Sequence, residues 1–81
     1  MAYKPRYTKE EIDELVNWFH SHKVEQTVDL GNGVSTTHVD DTVKPMLHIA
    51  EKHYNNPTFS GQIHMLFLIR EQLIAQNKVL D

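Results

Sequence analysis

The sequence has no cysteine, and only three glycines and three prolines among its 81 residues. Without cysteine there are no disulfide staples, no thiolate metal ligands and no cysteine nucleophile. Glycine is too scarce for a phosphate-cradling loop: Gly31-Asn32-Gly33 is followed by no Gly-Lys-Ser/Thr and reads as a chain reversal. Positive charge is short too, since eight Lys and Arg against eleven Asp and Glu leave a formal charge of -3. A field of that sign does not draw in nucleic acid or an anionic membrane. The longest apolar run, Met65 to Ile69, is far below the ~20 residues of a membrane span. No apolar stretch follows Lys4 and Arg6, so no secretory leader is expected and a cytoplasmic location is the expectation.

What remains is a chain with 40% hydrophobic and 23% charged residues, enough for one small domain. There is no internal repeat or Ser/Gly linker, so residues 1–7 are read as an N-terminal arm and residues 8–81 as a single helical domain. Short chains bury a smaller fraction of their surface than long ones. This one has to fold on apolar packing alone, or with help from a second copy of itself.

Period and capping predict a mainly α (α+β) fold: a compact three-helix domain with a small β-hairpin between helix 1 and helix 2. Thr8 and Glu11 have capping-box spacing. Ile12, Leu15, Val16 and Phe19 then fall on one face of a helix expected from about Lys9 to Lys23. Gln26–Leu30 and Val34–Val39 are short and β-branched, and flank Gly31-Asn32-Gly33. They read as a hairpin, with an irregular extended loop as the alternative. The second helix is expected to start at the capping residues Asp40-Asp41-Thr42, with Pro45 in its first turn and a buried face of Val43, Met46, Leu47, Ala50 and Tyr54. Asn56 then caps a third helix that opens on Pro57 and runs to about Gln76. Its expected core face is Phe59, Ile63, Leu66, Phe67, Leu73 and Ile74.

Several side chains stand out against that frame. Leu68 projects away from the expected core face, and Met65 and Ile69 widen the apolar arc. A helix apolar most of the way round is central or covered by a partner, although single exposed leucines are also ordinary. Arg70 falls inside the apolar stripe. It must snorkel to the edge, pair with a carboxylate, or anchor a phosphate or carboxylate ligand. Trp18, off the centre of the first helix's core face, with Tyr3 and Tyr7 in the arm, makes an aromatic and basic contact surface or else a place where the arm folds back over Trp18.

Six histidines invite a metal hypothesis, but His20 and His22 splay apart on a helix and His48 and His53 do not share a face. The i, i+4 pair of helical zinc sites is missing, and no metal or other cofactor is expected. The histidines can still make self-association or ligand affinity sensitive to pH. Ser21, Ser35 and Ser60 lack a nucleophile elbow. The carboxylates Glu10, Glu11, Asp13 and Glu14 fit a helix start, where the dipole favours negative charge. No catalytic residue is assigned.

Gln26–Leu30, Val39 with Val43, and Asn56-Pro57-Thr58-Phe59 together resemble a family of small uncharacterised bacterial domains. In that family an extended segment and an Asp-Val helix start precede an Asn-rich turn and a final helix. The likeness spans about Leu15 to Leu73, and departs at His38, where an acidic residue is usual, with Asp40 and Asp41 following instead. The resemblance implies a domain of unknown function and lends no catalytic residues. Small acidic proteins of phage and mobile elements, by analogy, bind and block a partner. The expected function is therefore non-enzymatic: an interaction or inhibitor module that binds another protein, itself, or both. The alternative is a protein that sequesters a small anionic molecule, such as a nucleotide, near Arg70.

Overall fold

The computed structural model describes residues 4–30 and 36–81. Helix α1 (Lys9–Ser21) opens on the expected capping box. The Glu11 N–H donates to the Thr8 hydroxyl at 3.1 Å, and the Thr8 N–H donates to Glu11 Oε1 at 3.0 Å. Ile12, Leu15 and Val16 are buried and Phe19 half-buried. The helix ends at Ser21 rather than near Lys23, because His22 turns to extended backbone. From there residues 23–25 run alongside the C-terminal tail.

Strands β1 (Thr27–Asp29) and β2 (Thr36–His38) form the expected antiparallel hairpin, with Val28 opposite Thr37. The turn assigned to Gly31-Asn32-Gly33 lies outside the described residues. Val28 is fully buried and pins the ribbon to the helices, support a lone hairpin needs in water. Side chains from the far end of the chain close the outer edge of β1. Gln76 donates Nε2 to the Asp29 carbonyl at 2.6 Å, and Lys78 donates Nζ to the Thr27 carbonyl at 2.7 Å. An edge occupied in this way is a poor template for pairing with another chain.

Helix α2 (Val39–His53) starts earlier than the Asp40-Asp41-Thr42 caps suggest. Strand β2 runs straight into it, and the Val39 N–H already donates to the Gln26 carbonyl at 2.7 Å. His38 occupies the cap position without capping, its Nδ1 lying 3.2 Å from Asp41 Oδ2, while the Asp40 N–H donates to Gln26 Oε1 at 3.2 Å. The earlier start moves Pro45 from the first turn to the helix interior. There its missing N–H leaves the Asp41 carbonyl without its usual helical donor. Val39, Val43, Leu47 and Ala50 are buried.

Asn56 caps a 3-10 turn, Pro57–Phe59, accepting from the Thr58 N–H at 3.0 Å. Helix α3 (Ser60–Ala75) follows and buries Ile63, Leu66, Ile69 and Leu73. The core face is rotated from the expected one: Ile74 is 56% exposed, while Ile69 is fully buried. Ile69 shares a flank with Gln76, seven residues on, and that flank is where β1 packs. The apolar arc turns toward the hairpin and away from Ile74.

The end of α3 carries a feature that periodicity did not signal. Asn77 adopts a left-handed conformation (φ 58°). Its N–H donates to the Ile74 carbonyl at 3.1 Å, and the Lys78 N–H to the Leu73 carbonyl at 2.8 Å, the bond pattern of a Schellman cap. The chain reverses there, and Val79 pairs antiparallel with Val24. The Glu25 N–H donates to the Lys78 carbonyl, and the Leu80 N–H to the Lys23 carbonyl. All buried side chains among the described residues are apolar, and they form one cluster running from Ile12 to Leu73.

Candidate binding groove

The antiparallel packing of α2 on α3 leaves the side of α2 nearest α1 partly open. A groove of about 410 Å³ runs there. Its floor is apolar: Phe19 of α1, Val24, and Val39, Val43 and Leu47 of α2. Leu80 of the tail stands at one wall and is 60% exposed. The rim is built from His20, His22, Lys23 and Lys44, with Asp40 among them. A second hollow of about 230 Å³ shares His20, Lys44 and Leu47 and adds His48 and Glu51, so it continues the groove along α2.

The helical frame explains the mixture. On α2, Val39, Val43 and Leu47 recur at four-residue spacing on the buried face, and Asp40, Lys44 and His48 follow each by one residue at the adjoining edge. Oil lies at the bottom and ionisable groups at the lip. The charges are only partly matched, since Lys44 Nζ lies 3.9 Å from Asp40 Oδ2. At the tail end, Asp81 is held by His22 Nδ1 at 3.1 Å and by the Lys23 N–H at 3.2 Å. The His22 hydrogen bond first, and the Lys23 N–H second, lower the Asp81 carboxyl below its ordinary range.

The side chains singled out in the sequence lie elsewhere. Tyr7 folds onto α3 rather than onto Trp18. Its ring stacks on Phe67 at 3.7 Å, and its hydroxyl meets His64 Nδ1 at 2.7 Å. Trp18 packs edge-on against Phe19 at 5.0 Å and tilts over His22. Arg70 is half-buried at the edge of the apolar face, with its guanidinium 5.4 Å above the Phe67 ring and no carboxylate partner among the described residues. It does not line the groove. Met65 and Leu68 are half-buried on α3. Tyr3 lies outside the described residues.

Sequence spacing missed the groove itself. His20 lies on α1, His22 just past its end and His48 far along the sequence on α2, yet they line two adjoining hollows that share His20. A signal was present in the four-residue recurrence of ionisable residues beside the apolar stripe of α2. Among the described residues no three His or carboxylate side chains converge as metal ligands. No Ser or Thr hydroxyl there is hydrogen-bonded to an imidazole.

Over residues 10–75 the chain matches the family described as Domain of unknown function (DUF6965). It belongs to that family. The matched span runs from α1 through α3 and so includes the helical walls of the groove, while the tail with Leu80 and Asp81 follows it. No curated protein and no solved structure matches the chain. No helix among its described residues is long and apolar enough to cross a membrane.

Proposed function

We propose that this DUF6965 protein acts by binding rather than by catalysis, as a small interaction module that engages a segment of another protein along the α1–α2 groove. The observation that carries this reading is an open groove in a very small domain, in which the exposed Leu80 and the half-buried Phe19 and Val24 stand beside the buried Val39, Val43 and Leu47. Covering the apolar surface that Leu80, Phe19 and Val24 leave open is favourable at roughly 25 cal/mol per Å², and grooves between helices recur as docking sites for partner segments. A bacterial or phage setting, where small acidic proteins block their targets, suits the reading by analogy. A nucleotide-sized anion held by Arg70 has less support, because that guanidinium rests on Phe67 away from the groove.

Site-specific photo-cross-linking tests the reading. A photoreactive residue replacing Lys44, which is exposed at the rim, is expected to give a discrete protein adduct in the native cell. The same probe at Glu71, exposed on α3 and outside the groove, is expected to give none. Equal labelling from both sites, or none from position 44, overturns it.

A further inference from the structure

From the chemistry of the rim we infer what the partner segment is: an acidic stretch interleaved with large apolar residues, gripped more tightly as pH falls through the histidine range. The inference rests on the groove being the contact surface.

Within the groove, five nitrogen bases (His20, His22, Lys23, Lys44 and His48) face two carboxylates, Asp40 and Glu51. With the imidazoles neutral, the two lysines are outnumbered by Asp40, Glu51 and the adjoining Asp81, so the rim turns positive only as the imidazoles charge. The histidines therefore set the sign. His20 faces Lys44, His48 and Glu51 across the second hollow, and Asp40 along the first. His22 is engaged by Asp81 and flanked by Lys23. A carboxylate arriving beside His20 and His48 finds N–H donors even at neutral pH, and it favours their charged form. Binding and proton uptake then reinforce each other.

The chain itself displays the matching chemistry. Leu80 stands in the groove wall, and the next residue, Asp81, places its carboxylate on His22 and on the Lys23 N–H. An apolar side chain at the groove wall followed by a carboxylate on an imidazole is the arrangement a partner would repeat further along, at His20, Lys44 and His48. A basic segment would meet the lysines and gain nothing from the histidines. A purely apolar one would leave the rim's charges partly desolvated, which is costly without pairing.

The test is selection of random displayed dodecapeptides on the intact protein at pH about 6, below the ordinary histidine value of ~6.5. Selected peptides are then titrated by fluorescence polarisation against wild type and Lys23→Glu/Lys44→Glu, at pH about 6 and about 7.5. Both lysines are exposed, so the variant keeps its fold, checked by circular dichroism. Winners enriched in Asp and Glu next to Leu, Ile or Phe are expected. Their affinity should drop at least about threefold at the higher pH, and at least about twofold further on the variant, since each exposed ion pair contributes modestly. Neutral or basic winners that still weaken on the variant overturn the acidic partner and leave the groove as the contact surface. Acidic winners indifferent to the variant and to pH overturn the inference as well. A selection that yields no binder overturns both the inference and the reading it rests on.

Discussion

Single residues decide where each helix begins and ends, and these are the most legible features of the sequence. Thr8 and Glu11 could be paired from spacing alone because a capping box is local, and the structure shows both of its hydrogen bonds. Replacing Thr8 with alanine removes the acceptor for the Glu11 N–H and is expected to cost about 1 kcal/mol. Thermal unfolding followed by circular dichroism checks this, and an unchanged midpoint would show that α1 is held by its packed face alone. His38 marks the limit of the same logic. Asp40-Asp41-Thr42 are good caps by type, but Gln26 supplies a long-range acceptor for the Val39 N–H and moves the boundary. Asn77 was legible in principle as a residue tolerant of positive φ. Its consequence, the reversal that seats Val79 against Val24, depends on a partner more than fifty residues away.

Elements carry the next lesson. Helices α1 and α2 bury the faces their periodicity predicts, since each presents a single apolar stripe. Helix α3 is apolar nearly all round, so pattern alone cannot orient it. The hairpin packing beside Gln76 selects Ile69 over Ile74 for the core. The two isoleucine- or leucine-sized sites that follow from this behave differently on truncation. Leu73→Ala removes a fully buried side chain and is expected to destabilise by about 2–5 kcal/mol. Ile74→Ala touches a side chain 56% exposed and should shift stability by no more than about 0.5 kcal/mol. Urea titrations of the two variants measure the contrast, and equal losses would contradict the rotated face. The groove belongs to this scale as well. It is formed by two helices facing one another, so histidines that look scattered along the sequence line its two adjoining hollows.

For the whole molecule, the question is how so short a chain stabilises itself without disulfides. Part of the answer is internal. The tail and the Gln76 and Lys78 side chains cover the outer edge of β1 and the segment after α1, so contacts far apart in sequence close the fold. A second copy is the other source we propose, with Met65 and Leu68 of α3 as its candidate surface. Both are half-buried; Met65 packs against the core cluster, while Leu68 stands outside it. Stable protein interfaces bury about 800 Å² per partner, and Leu68 would have to sit near the centre of such a patch to matter. If α3 faces α3 across a dimer, light scattering gives a molar mass near twice the 9.5 kDa of the chain, and Leu68→Asp returns it to one, because a carboxylate desolvated without a partner is strongly disfavoured. The substitution lies outside the buried cluster, so the variant's circular dichroism should match wild type. A wild type at 9.5 kDa across micromolar concentrations removes self-association. The stability of the monomer would then rest on its buried helical cluster with the tail and hairpin contacts that close it, and the α1–α2 groove would be left as the proposed contact surface.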